Sequence, residues 1–151
     1  MTKLKLESPK FENESKIPRK YGYKNEDVNP PLKIEGVPES AKSLALIMDD
    51  PDAMKPAGKV WDHWVIWNIS PDTNAIKEGV TPKGAVEGKN DYGKLGYGGP
   101  NPPDGEHTYI FELYALDDEL ELPEGSTKKD VKHSMKGHVL DKAVLKGTYV
   151  P

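Results

Sequence analysis

Three short stretches carry side chains able to do chemistry: Asp50 with Asp52, His63, and His107 with Tyr109. An imidazole N–H and a phenolic hydroxyl can each donate to a phosphate or carboxylate oxygen. Gly98 and Gly99 add backbone N–H groups with no side chain to shield them, the makings of an anion-binding nest. A bare carboxylate repels an anion, so Asp50 fits this picture by raising the pKa of a nearby histidine or by sharing a proton with the ligand. The ligand it implies is monoprotonated or zwitterionic. Asp50 has a local reading of equal weight, because Asp before Pro51 favours a turn-initiating backbone. A further reading makes Asp50, His63 and His107 a facial metal triad in a hydrolase or other metal-dependent enzyme. The close histidine spacing of helical zinc sites is missing, which counts against it.

Several other chemistries are excluded by composition. The chain has no cysteine, which removes disulfides, thiolate catalysis and cysteine-ligated metals. Phosphate-loop, nucleophile-elbow and dinucleotide fingerprints are absent. Lys and Arg total 21 against 25 Asp and Glu, a net charge of −4, so a nucleic-acid backbone meets a mildly repulsive body. Arg19 is the only arginine, leaving almost no bidentate forks for phosphate or guanine. The first nine residues hold no apolar signal-like core and no apolar run is long enough to span a bilayer, so the expected location is the cytoplasm.

The elements that must position these residues are short strands. At 151 residues the chain is the size of one domain, 1–151, and its 14 glycines and 14 prolines favour many turns. An exposed first strand is expected around Leu4 and Leu6, followed by turn-rich sequence as far as residue 40. Leu44–Met48 reads as a strand buried on both faces, ending abruptly at Asp49. Over 60–69, alternation puts Trp61, His63, Val65 and Trp67 on one face and Asp62, Trp64, Ile66 and Asn68 on the other. The glycine-rich stretch 78–105 reads as a long functional loop. In the strand 107–116, His107, Tyr109, Phe111 and Leu113 share a face. Thr127 and Asp130 resemble a capping box opening a helix to about Lys136, with His133 and His138 at its far end, and 139–149 reads as a closing edge strand. Trp61 and Tyr97 are candidates to wall a pocket, while Trp64 and Trp67 read as core.

At this point the ordered motifs resemble a known family. Asp50-Pro51-Asp52-Ala53, Trp61 through Ile69, and Gly96-Tyr97-Gly98-Gly99-Pro100 with His107 through Asp117 are similar to the signatures of the phosphatidylethanolamine-binding proteins, in their short prokaryotic Raf-kinase-inhibitor-like branch. Ile17-Pro18, Asn29-Pro30-Pro31-Leu32 and 136–140 extend the resemblance over nearly the whole chain. It implies a mostly β fold, a large antiparallel sheet packed on a smaller one with one or two short helices. It also implies a pocket for phosphate or a phosphorylated headgroup at Asp50, His63, Gly98, His107 and Tyr109, supported or walled by Asp52, Trp61, Gly99 and Pro100.

The expectation is therefore a non-catalytic anion-binding protein with no cofactor and no metal, modulating a partner such as a protein kinase or a serine protease. A homodimer is left open, as is protease inhibition through an exposed loop independent of the pocket. Two features depart from the family pattern. Met54 and Lys55 precede Pro56, which reshapes the loop beside the pocket, and Asn101 replaces a cysteine common in prokaryotic relatives. The short branch also implies a pocket without the C-terminal lid of eukaryotic members.

Overall fold

Nine strands in two sheets make up the computed structural model, which describes residues 3–151. In chain order they are β1 (Lys5–Glu7), β2 (Ser15–Lys16), β3 (Leu32–Glu35), β4 (Ser43–Asp50), β5 (Trp61–Ile69), β6 (Ala75–Ile76), β7 (Val86–Glu87), β8 (His107–Leu116) and β9 (Val139–Tyr149). A single helical turn, α1 (Met54–Ala57), links β4 to β5, and α2 (Lys128–Met135) precedes β9. The small sheet runs β1-β3-β6 and is antiparallel. The large sheet runs β2-β9-β8-β4-β5-β7, antiparallel apart from the short β2–β9 contact at its edge.

Both faces of the large sheet are apolar, and each is covered. Leu44, Leu46 and Met48 of β4, with Phe111 and Leu113 of β8, pack against Leu6, Leu32, Ile34 and Ile76 of the small sheet. Ala45, Ile47, Val65 and Trp67 look the other way, onto Val131 and Met135 of α2. Those two helical residues lie four apart and so share a face. Each aliphatic side chain buried this way contributes roughly 1.5–3 kcal/mol, which is why neither cover is dispensable. Thr127 and Asp130 form the expected capping box at the start of α2.

Three expectations need correction. Leu4 and Leu6 are buried, because β1 pairs with β3 and faces the inter-sheet core. That partner strand, β3, lies within the segment expected to be turns alone. β4 does not stop at Met48 but carries Asp49 and Asp50 as its last two residues, both buried.

The simple alternation on β5 also fails, and the failure builds the site. Met48 pairs with Trp64, yet the next β4 residue, Asp49, pairs with Asp62, so His63 is the extra residue of a bulge. A bulge turns two successive side chains to one side. Trp64 therefore joins the inter-sheet core and His63 packs edge-on against Tyr109 on that same side, while Val65 and Trp67 belong to the helix-side core. A second irregularity near Asn68, at φ 54°, is held by two hydrogen bonds between its amide and the Leu120 backbone.

Candidate functional site

The last residue of β4, the first three of β5 and the first three of β8 meet at one end of the large sheet. There they bound a cavity of about 260 Å³. Asp50, Trp61, His63, Tyr92, His107 and Tyr109 form its walls, and Ala53, Pro56, Ala57, Asn101 and Pro103 complete the lining. Asp50 Oδ2 accepts from His107 Nδ1 at 2.6 Å and Oδ1 accepts from the Asp52 backbone N–H at 2.9 Å. Its turn role and its site role are thus one arrangement. Asp52 in turn accepts from the Thr108 N–H at 2.8 Å, pinning the turn after β4 to the start of β8.

The two histidines have opposite electrostatics. His107 Nε2 meets Asp104 Oδ1 at 2.6 Å, so both ring nitrogens donate to carboxylates. Burial works against its charge, but the hydrogen bonds to Asp50 and Asp104 outweigh burial and raise its pKa. His63 has only a carbonyl partner: Nδ1 lies 2.7 Å from Gly98 O and must carry the proton. Burial pushes its pKa down to about 4, more than the Gly98 hydrogen bond and the Asp50 charge restore. At neutral pH His63 is uncharged, with Nε2 as a lone-pair acceptor.

Tyr109 lies between them, ring centroids 5.2 Å from His63 and 6.4 Å from His107. Its hydroxyl is buried and makes no hydrogen bond in the fold, although Asp50 and the Asn101 backbone lie close. Burial also raises its pKa, so the group is a phenol and an available donor.

Asp50, Trp61, His63, His107 and Tyr109 are thus brought together, with Asp52 supporting from behind. The glycine loop plays another part than expected. Gly98 N–H donates to His63 O and Gly99 N–H to Asp27 Oδ1, so neither is free for an anion. A Cβ on Gly98 would meet the Tyr92 ring at 2.4 Å and one on Gly99 would meet Tyr21 O at 2.2 Å. These glycines permit close packing, and Gly98 fixes the His63 tautomer. Pro100 lies outside this cavity and borders a neighbouring one with Arg19 and Tyr149. Tyr97 is a core residue, edge-on to Trp64 and bonded to Tyr21 O, and does not wall the cavity.

Two residues of the site lie outside the expected set, although Tyr92-Gly93 belongs to the stretch that resembles the family's third signature. Tyr92 is edge-on to both His63 and Trp61, stacks on Tyr23 and donates to Gly99 O. Asp104, three residues before His107, had a detectable signal in that spacing. Among the described residues no group of three His, Asp or Glu side chains is arranged to hold a metal, and the groups of Asp50 and His107 are spent on each other, on the Asp52 N–H and on Asp104. No described helix is long and apolar enough to cross a membrane.

A large antiparallel sheet backed by a small one, with a polar pocket where β4, β5 and β8 end, defines a β protein of the phosphatidylethanolamine-binding type. Residues 7–150 match the sequence model of that family. The chain is 50% identical over 151 residues to a UPF0098 protein of Methanothermobacter thermautotrophicus, covering 97% of this chain and 98% of that one. It superposes with a TM-score of 0.93 on a phosphatidylethanolamine-binding protein homologue from Chlamydia trachomatis, at 40% identity over 99% of this chain and 98% of the other. YbcL of E. coli, described as a member of the mammalian family, superposes at 0.89 with 27% identity over 97% of each chain. The chain belongs to the phosphatidylethanolamine-binding protein family.

Proposed function

We propose that this chain is a non-catalytic binding protein whose pocket takes a small protonated oxyanion, such as phosphate or a phosphorylated headgroup. The observation that carries the reading is the buried Tyr109 hydroxyl, which makes no hydrogen bond in the fold, in the same cavity lining as His63, whose Nδ1 is spent on Gly98 and whose Nε2 keeps its lone pair. A donor and an acceptor lining one cavity suit a ligand with one anionic oxygen and one O–H, which a monoprotonated phosphate supplies. A cavity of about 260 Å³ suits a headgroup rather than acyl chains, since it falls below the size of usual drug-sized pockets. A partner protein would then read the occupied pocket. A kinase or a serine protease is the class that the family resemblance suggests, acting in the cytoplasm.

The test is a titration of inorganic phosphate and of phosphorylethanolamine, followed by amide and side-chain NMR shifts in the wild type and in Tyr109→Phe. Shifts should centre on His63, His107 and Tyr109. Tyr109→Phe should weaken phosphate by about tenfold, the scale of one hydrogen bond to a charged group. It should change unfolding stability little, because the hydroxyl makes no well-formed hydrogen bond in the fold. Shifts that avoid these residues, or equal affinity in the variant, would overturn the reading.

A further inference from the structure

Most hydrogen-bond donors around the cavity have buried, strand-anchored partners. His107 Nδ1 donates to Asp50, whose side chain is 4% exposed, and His63 Nδ1 donates to the buried Gly98 carbonyl. The bond from His107 Nε2 is of another kind. Its acceptor, Asp104, is 41% exposed and stands between Pro103 and Gly105 in a segment without regular structure. No other hydrogen bond holds the Asp104 carboxylate among the described residues. A Cβ built on Gly105 would meet nothing within 4 Å, so the backbone next to Asp104 borders open space. Asp104 is not itself a lining residue, yet both Pro103 and His107 are.

We propose that Asp104 is a built-in occupant of the outer nitrogen of His107, and that an anionic oxygen of the ligand replaces it when the pocket fills. The inference rests on the oxyanion reading above. The exchange keeps the buried charge partnered: a carboxylate oxygen leaves Nε2–H, a ligand oxygen accepts the same proton donor, and the imidazolium never stands alone. The released carboxylate returns to water at small cost because its side chain is already partly solvated. A carboxylate tethered three residues away competes at an effective concentration on the order of millimolar or above. Asp104 therefore lowers the affinity of every oxyanion that must displace it by a common factor, which makes it a residue that sets the concentration at which the pocket fills.

The experiment measures inorganic phosphate and acetate affinity in the full chain for the wild type, Asp104→Ala and Asp104→Asn. The ¹⁵N shift of His107 Nε2 is recorded alongside. Removing the competitor in Asp104→Ala should tighten phosphate by about tenfold, discounted from a fully buried pair because Asp104 is half exposed. Asp104→Asn keeps an acceptor but loses the charge, so it should fall between the other two. In the wild type, saturating phosphate should move the Nε2 shift while Nε2 stays protonated, and should free the Asp104 side chain. If Asp104→Ala binds phosphate no better than the wild type, or more weakly, Asp104 only orients His107 and the proposal is overturned. If none of the three proteins shows phosphate-dependent shifts at His63, His107 or Tyr109, the oxyanion reading itself falls and the exchange falls with it.

Discussion

His63 and His107 flank the same tyrosine, and their surroundings drive their charges apart. The consequence is a pH dependence with a definite sign. The pKa of His63 is lowered from an ordinary value near 6.5 to about 4 in the fold, so between these values the unfolded chain binds the extra proton. Stability from this residue is complete above about pH 6.5 and is lost as pH falls through about 4. The shift corresponds to roughly 3 kcal/mol for so deeply buried a ring. Urea unfolding between pH 7 and pH 4 should show this loss, and His63→Gln should flatten it. An unchanged slope in the variant would mean that another group controls the acid limb. His107 works in the opposite direction. Its raised pKa contributes stability that is fully present below the unfolded value and fades as pH rises through the folded one, so His107→Gln should remove a loss on the alkaline side.

Strand ends place these rings, and one lysine holds two of the strand ends in register. Asp49 and Asp62 are direct cross-strand partners, a like-charged pair that would push β4 and β5 apart next to Asp50 and Trp61. Lys128, at the start of α2, sits 3.1 Å from Asp49 Oδ2 and 2.6 Å from Asp62 Oδ1 on the face away from the pocket. Its side chain is only 18% exposed, so removing it leaves two carboxylates facing each other with little solvent. Lys128→Met should cost about 2 kcal/mol in urea unfolding, below the full range for a buried pair. Adding Asp62→Asn should recover part of that; a double variant no more stable than the single one would remove the like-charge argument. The elements differ in how far the sequence encodes them locally. β4 was legible as a short continuous apolar run, β8 by its alternation and α2 by its capping box, each encoded locally. The bulge at His63 was not, since it exists only in the pairing with β4, and period-two counting assigned His63 to the wrong neighbours. β3 was hidden behind Pro30 and Pro31, and the two-residue β6 and β7 are too short to carry any period. In the site, Asp50, His63, His107 and Tyr109 stood out by residue type, whereas the roles of Gly98, Gly99 and Asp104 depend on contacts across the fold.

The whole molecule is wired through β5, which carries all three tryptophans of the chain. Trp61 lines the pocket, Trp64 lies in the core between the sheets, and Trp67 lies in the core under α2. β4 and β8 feed alternate side chains into both cores, so one cannot come apart without unpairing the strands that build the other. A single cooperative transition follows from that sharing. In a variant keeping only Trp64, and in one keeping only Trp67, the thermal midpoint read by fluorescence should therefore coincide with the one read by far-UV circular dichroism of the same variant. A ligand that binds only the native state adds to stability by mass action, about 2.7 kcal/mol at a hundredfold excess over Kd. For a chain of this size that raises both midpoints by roughly 5–10 °C. A variant keeping only Trp61 should change its emission on adding phosphate well below the transition, because that indole touches the cavity. If phosphate raised the midpoint of the variant keeping Trp64 and left that of the variant keeping Trp67 unshifted, the two faces of the large sheet would be separate folding units and the pocket would be coupled to only one of them.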